Sequence, residues 1–176
     1  MENKKLIYMD NNATTRVYEE VLETMLPYFK EKYFNPSSMY SVAGGVHKEM
    51  EKAREQVADF LGCEKVEVCF VSCGSEGDNM AIRGTIEAYP TKNHIITTKV
   101  EHPAVIETCK SLERLGYRIT LLDVDNDGNI NLEELKKSVN ENTAIVSIMY
   151  ANNETGVIFP IKEIGEIVKS AGAVLH

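Results

Sequence analysis

Apolar and polar residues alternate along this chain with two different periods. Apolar positions at helical spacing predict six helices, and short apolar runs between them predict five strands. Alternation of strands and helices is typical of βαβ units and a mostly parallel sheet. We therefore expect an α/β fold in which helices flank a mostly parallel sheet. The predicted helices span 17–32, 46–61, 75–89, 104–115, 132–139 and 161–170, and the predicted strands span 66–71, 94–98, 117–122, 144–149 and 173–176.

Three of the predicted strands run into small polar clusters. These clusters are SCGSE at 72–76, EHP at 101–103 and NNE at 152–154. In an open α/β sheet, ligands bind outside the carboxyl ends of parallel strands. The three clusters therefore predict one site with an anion-binding turn, an imidazole and a carboxamide.

The first cluster joins a predicted strand to a predicted helix. The start of a helix carries free N–H groups and a positive dipole, so Gly74 and Ser75 would let a phosphate approach the backbone. An ordinary turn in which Ser75 caps the helix is the alternative. Neither a GxGxxG fingerprint nor a P-loop is present in the sequence.

The other two clusters each offer one side chain with useful chemistry. His102 precedes a proline at a strand's carboxyl edge, where an imidazole can stack on a planar cofactor or transfer protons. A lone histidine is nevertheless more often structural. In the third cluster an asparagine either closes an Asx turn or donates to a ligand oxygen, and the sequence leaves both possibilities open.

Composition narrows the classes of function. A chain of 176 residues can bury a sizeable core and is most simply one domain. A net charge of -8 argues against non-specific nucleic-acid binding and against a basic membrane-binding surface. No apolar run is long enough to span a bilayer, and the first one is too short for a secretory signal. We expect a cytoplasmic protein that has neither nucleic acid nor a membrane as its partner.

The four cysteines lack the paired CxxC spacing of a zinc site, so no metal site is expected. Cys63, Cys69 and Cys109 lie in or beside apolar patterns and are predicted to be reduced core thiols. Cys73 lies in the turn before a helix, where the pKa of a thiol is lowered. A catalytic role for Cys73 would also need a nearby base.

A competing motif is DVDNDGNINLEE at 123–134, which fits the EF-hand calcium loop. An EF-hand needs an entering helix, whereas 116–122 is a glycine followed by a strand pattern. The alternative is a turn rich in Asp, Asn and Gly that leads from a strand to a helix. Calcium binding through Asp123–Glu134 is kept as the less favoured hypothesis.

Together with YMDNNATT at 8–15, the clusters resemble the cysteine desulfurases of the NifS/IscS type. These are pyridoxal-phosphate enzymes of the class V aminotransferase group, with fold type I. The resemblance covers essentially the whole chain but only the N-terminal half of a family member. It includes NPSS at 35–38, VEHPAV at 100–105, TC at 108–109 and VSIMYANNETGV at 146–157.

The resemblance implies a role for each cluster. Gly74 and Ser75 would hold the phosphate of pyridoxal 5'-phosphate, and His102 would stack on the ring and take part in proton transfer. Asn153 would contact the bound substrate near its carboxylate. The family converts L-cysteine to L-alanine and passes persulfide sulfur to an iron–sulfur scaffold or another acceptor protein, and it acts as a homodimer. Relative to the family's TSGGTESDN-like run, this chain has Cys73 and Gly77 at two small-residue positions.

The resemblance also implies what this chain lacks. The Schiff-base lysine, the aspartate that pairs with the ring nitrogen and the cysteine that receives sulfur match no residue here. We therefore expect the 176-residue chain to be inactive by itself. Residues 1–15 would contribute to the family's small domain, and 16–176 would form an incomplete cofactor-binding large domain. A non-catalytic partner or remnant that keeps only the dimerisation surface is the alternative.

Overall fold

The computed structural model describes residues 6–176. The chain falls into two compact units, one that ends at Phe70 and one that runs from Val71 to His176. The predicted boundary after residue 15 stays a prediction, and the first five residues of that segment lie outside the described range. Within 6–176, no helix is both long and apolar enough to cross a membrane.

The first unit contains two helices, α1 (Glu19–Lys30) and α2 (Ser41–Leu61), and a 3-10 turn at Lys65–Glu67. Helix α2 ends at Gly62, which has a φ of 70°. This left-handed conformation, which glycine adopts without a steric penalty, closes the helix.

The strand predicted at 66–71 is wrong. These residues form a 3-10 turn followed by irregular backbone, and Val66 is 82% exposed. The Glu64 amide donates to the Glu67 carboxylate at 2.7 Å, and this capping bond stabilises the 3-10 turn in place of the start of the predicted strand. The prediction of a core thiol is therefore also wrong for Cys69, which is exposed. Cys63 is half-buried.

The second unit is a four-stranded, fully parallel sheet with helices between its strands. This confirms the predicted α/β fold, and the strand order is β2-β1-β3-β4. The strands are β1 (His94–Thr98), β2 (Arg118–Leu122), β3 (Thr143–Ser147) and β4 (Val174–Leu175). The helices are α3 (Gly74–Ala88), α4 (Pro103–Glu113), α5 (Leu132–Ser138) and α6 (Ile161–Ser170).

The two central strands, β1 and β3, are buried along their whole length. Helices α3 and α4 pack on one face of the sheet with Ile95 and Ile145, and α5 and α6 pack on the other face with Ile96 and Val146. Strands covered on both faces have continuous apolar runs, which explains why the sequence pattern locates them well. Buried Cys109 of α4 confirms the prediction of a core thiol. The carboxyl ends of β1 and β3 consequently lie side by side.

Candidate active site

The turn that precedes α3 is held by a carboxylate. The amide and the hydroxyl of Ser72 donate to the Glu76 carboxylate at 2.6 and 2.7 Å, and these bonds lower the pKa of Glu76. A Cβ added at Gly74 would meet nothing within 4 Å. The backbone at the start of α3 is therefore open to an approaching group, and a helix start favours an anion.

Cys73 is the N-cap residue of α3 and is exposed. The Glu76 amide, followed by the Ser72 hydroxyl and the Ser75 amide, lowers the pKa of the Cys73 thiol. This confirms the direction expected from its position in the turn. The start of α3 thus stabilises negative charge, because its amides have no partner within the helix.

His102 is the N-cap residue of α4. Its Nδ1 accepts the Ala104 amide at 3.1 Å, and Pro103 occupies the first helical position. Because Nδ1 is an acceptor, the neutral ring carries its proton on Nε2. The side chain is exposed, so the imidazole is held in orientation while it remains open to a ligand.

The two asparagines after β3 have different surroundings. The Asn152 Oδ1 accepts the amides of Glu154 and Thr155, both at 2.9 Å, and its Nδ2 donates to the Val100 carbonyl at 3.1 Å. Asn152 is therefore the residue that closes the Asx turn. Asn153 is exposed and lines a cavity of about 580 Å³ together with His102.

His102 also lines a second cavity of about 370 Å³, which Asp78 of α3 borders. Gly74 and Ser75 line neither cavity, and Ser75 instead lines a groove along α3. Ser75 precedes Asp78 by three residues, which is about 4.5 Å along a helix axis. The structure thus brings His102 and Asn153 together in one cavity, whereas the start of α3 lies one helical turn from Asp78, which borders the other.

Glu101 is a structural partner within this site that the sequence pattern did not single out. Its Oε1 accepts the Met149 amide at 2.9 Å and the Thr98 hydroxyl at 3.1 Å. Burial is the main cause that raises the pKa of Glu101. Its position beside His102, just after a predicted strand, could have marked Glu101 as part of the site.

A polar group at the ends of β3 and β4 was likewise not predicted from the sequence. The Nδ1 of His176 lies 3.0 Å from the Ser147 hydroxyl, and its Nε2 lies 3.8 Å from the Asp78 carboxylate. The strand-end rule applies to Ser147 and His176. Asp78 lies inside α3 and had no such signal in the sequence.

The acidic loop at 123–131 follows a strand rather than a helix. Strand β2 enters it, and Val124 pairs with Ile130 in an antiparallel bridge. The Asp125 carboxylate accepts the amides of Asp127 and Asn129 at 2.9 and 2.8 Å, and the Asn129 amide is the main cause of its lowered pKa. Across the described part of the chain, no group of three or more His, Cys, Asp or Glu residues could hold a metal ion.

Comparison with known families identifies the fold. The family described as Aminotransferase class-V matches residues 7–176. The chain belongs to this family. The match extends over both compact units and agrees with the parallel sheet and its flanking helices.

The most similar curated relatives include several desulfurases. A "Cysteine desulfurase" of Trichormus azollae is 55% identical over 171 residues, which is 97% of this chain and 43% of the relative. The "Cysteine desulfurase NifS" of Azotobacter vinelandii is 44% identical over 171 residues, which is 97% of this chain and 42% of the relative. These matches confirm the resemblance to the cysteine desulfurases. The chain spans less than half the length of these relatives.

Solved structures agree with this assignment. A "NifS-like protein" superimposes with a TM-score of 0.92 at 44% identity, and the match covers 97% of this chain and 47% of that one. A structure described as "SspA in complex with cysteine" superimposes with a TM-score of 0.90 at 34% identity. This match covers 96% of the present chain and 49% of that one. The fold of this chain is therefore that of part of a cysteine desulfurase.

Proposed function

We propose that this chain supplies one side of the pyridoxal 5'-phosphate site of a cysteine desulfurase. The observation that carries the proposal is the shared cavity of His102 and Asn153 at the carboxyl edge of β1 and β3. The start of α3, with Gly74 and Ser75, lies one helical turn from Asp78, which borders the adjoining cavity. The names of the relatives and the cysteine complex of one structural neighbour support the same activity.

The residues present fit this cofactor. The open backbone at Gly74 and the positive end of the α3 dipole suit a phosphate. The Glu76 carboxylate accepts the amide and the hydroxyl of Ser72, which fixes the turn that leads into Gly74. The exposed imidazole of His102 is held by the Ala104 amide and offers a planar surface for a ring.

When bound, pyridoxal phosphate acts as an electron sink for bonds at the substrate's α-carbon. Gly74 and Ser75 would bind the phosphate through their amides and the Ser75 hydroxyl. His102 would lie against the ring and hold or release a proton at Nε2, since Nδ1 is occupied by Ala104. Asn153 would orient the substrate by donating from its amide to an oxygen.

The proposed substrate is L-cysteine, which would yield L-alanine and a persulfide. The sulfur would pass to an iron–sulfur scaffold or another acceptor protein in the cytoplasm. These proposals concern a whole desulfurase, since the relatives are more than twice the length that this chain covers.

A chimera tests the proposal. Residues 1–176 are joined to the remaining part of the Trichormus azollae relative, which is 55% identical over the shared region. The expected result is conversion of L-cysteine to L-alanine that depends on added pyridoxal phosphate. The unmodified relative is the positive control. A folded chimera that retains no cofactor and forms no alanine would contradict the proposal and favour a non-catalytic remnant.

We also propose that the chain forms a homodimer through its first unit. Helix α1 has no buried residue, and its apolar positions Val21, Leu22, Met25, Leu26 and Phe29 are exposed. A contiguous apolar stripe of this kind is typical of a protein interface. Light scattering of the chimera should give twice the mass of one chain, and replacement of Leu22 and Phe29 by Asp should give a monomer. A monomeric parent chimera would contradict the proposal.

A further inference from the structure

Two side-chain bridges join the segment after β1 to the segment after β3. In the first, the Glu101 carboxylate accepts the Met149 amide at 2.9 Å. In the second, the Asn152 Nδ2 donates to the Val100 carbonyl at 3.1 Å. In both bonds the donor lies after β3 and the acceptor after β1, but the side chain comes from the first segment in one bridge and from the second segment in the other. We refer to Glu101 and Asn152 with these two bonds as the clasp.

The clasp lies where the sheet can no longer hold the two segments. The parallel register between β1 and β3 ends with Thr97 opposite Ser147. Beyond that pair the ladder hydrogen bonds stop, so side chains must fix the distance between the segments. Thr98 adds to the clasp, because its hydroxyl donates to Glu101 at 3.1 Å and accepts the Val100 amide at 3.3 Å.

Each residue of the clasp is next in sequence to a proposed cofactor-binding residue. Glu101 precedes His102, and Asn152 precedes Asn153. We propose that Glu101 is a positioning residue, which fixes His102 relative to Asn153 by accepting the Met149 amide. The role assigned to that pair rests on the proposed function, whereas the coupling between the two segments does not.

Alternative roles for Glu101 are less compatible with its surroundings. It is half-buried, and one of its oxygens already accepts two donors. Glu101 lines both cavities together with His102, but the donors on its Oε1 are the Met149 amide and the Thr98 hydroxyl, so the carboxylate is fixed against protein groups. The partly buried bond makes the Met149 amide dependent on Glu101, since an amide that loses its acceptor away from bulk water costs free energy.

Nuclear magnetic resonance of the 176-residue chain tests the clasp without any cofactor. Glu101→Ala should raise hydrogen exchange at the Met149 amide by about tenfold or more, because the amide loses its acceptor. It should also shift the ring signals of His102 and the side-chain amide signals of Asn153. Glu101→Gln, which keeps an oxygen acceptor, should restore most of the Met149 protection and both sets of signals.

Two further measurements keep the test decisive. Glu107→Ala removes an exposed carboxylate from α4, where it pairs with Lys110 at 2.7 Å, and should change none of these signals. Exchange at Val146, in the buried part of β3, reports whether each variant keeps its fold. If Glu101→Ala unfolds the chain, Thr98→Val should still give smaller shifts of the same signals.

An unchanged Met149 amide, or unchanged His102 and Asn153 signals, in a folded Glu101→Ala variant would overturn the proposal. Failure of Glu101→Gln to restore them would also overturn it. Failure of the chimera to bind pyridoxal phosphate would leave these signals unaffected, so the two proposals fail separately.

Discussion

Gly128 lies directly against Val157. A Cβ at position 128 would approach the Val157 Cγ2 to 2.9 Å, and Gly128 has a φ of +85°. The glycine is therefore required for two reasons, its backbone conformation and the space that it leaves. Through this contact the acidic loop after β2 packs on the loop that carries Asn153.

Replacement of this glycine should destabilise the second unit. Gly128→Ala combines an unfavourable φ with a steric clash, so we expect a loss of about 1–3 kcal/mol in the free energy of unfolding. Gly84→Ala is the matched control, since it lies in α3 with open space around its Cβ. The control should gain about 0.5–1 kcal/mol. Urea unfolding measures both, and equal midpoints for the two variants would show that the contact is unimportant.

The side chain of Asn152 should contribute more to the free energy of unfolding than the exposed side chain of Glu154 in the same turn. Asn152→Ala removes the acceptor of two amides and a donor to Val100, so we expect a cost of about 1–3 kcal/mol in unfolding free energy. Glu154→Ala, whose side chain is exposed in the same turn, should cost less than about 0.5 kcal/mol. A loss of similar size in both variants would mean that the turn does not depend on the carboxamide.

The stability of the chain should fall in mild acid because of His94. The ring lies between the hydroxyls of Thr143 and Thr120 at 2.9 and 2.8 Å, and burial, with a smaller effect of Arg118, lowers its pKa to about 4. The unfolded chain, with a histidine pKa of about 6.5, binds the proton first. Stability is therefore fully present above about pH 6.5 and is lost as the pH falls toward about 4.

Unfolding measured at several pH values checks this prediction. One proton taken up only by the unfolded chain corresponds to a slope of up to about 1.4 kcal/mol per pH unit. His94→Gln should lose that part of the slope, and any packing cost should appear equally at about pH 8. Parallel curves for the two proteins over the acid range would contradict the assignment.

His102 should be essential for turnover but not for folding. In the chimera, His102→Ala should lower the rate of alanine formation by about 10²–10⁴-fold, which is typical for loss of a general acid–base group. Glu107→Ala, an exposed change in the same helix, should keep the parental rate. A variant at position 102 that retains more than about a tenth of the rate would argue against proton transfer by the imidazole.

Most of the second unit could be predicted from the sequence because its strands are buried on both faces. An apolar run such as that of β1 is buried in the core along its whole length. The polar residues that follow such runs mark the edge of the sheet where the strands end. This pattern singled out His102 and the asparagine cluster, whereas the choice of Asn153 came from the family resemblance, and the roles of both residues stay predictions. The sequence could not show which of the two asparagines closes the Asx turn. Asn152 is held there partly by the Val100 carbonyl, which is remote in sequence and gives no local signal.

The segment before α3 shows where such prediction fails. Val66 and Cys69 lie in a strand-like pattern, yet both residues are exposed, and the bond between Glu64 and Glu67 holds Val66 in a 3-10 turn. A local hydrogen bond between a polar side chain and the backbone is not visible in an apolar pattern. Asp78 was missed for a different reason, since only the packing of α3 brings it close to His176.

A site-resolved titration tests the central claim most directly. Pyridoxal phosphate is added to the isotope-labelled 176-residue chain, and pyridoxal, which lacks the phosphate, is the matched control. We predict that pyridoxal phosphate shifts the amide signals of Gly74 and Ser75, the ring signals of His102 and the side-chain signals of Asn153. Pyridoxal should shift His102 without affecting Gly74 and Ser75. Signals at these four residues that do not move with pyridoxal phosphate, or shifts confined to other parts of the chain, would contradict the account.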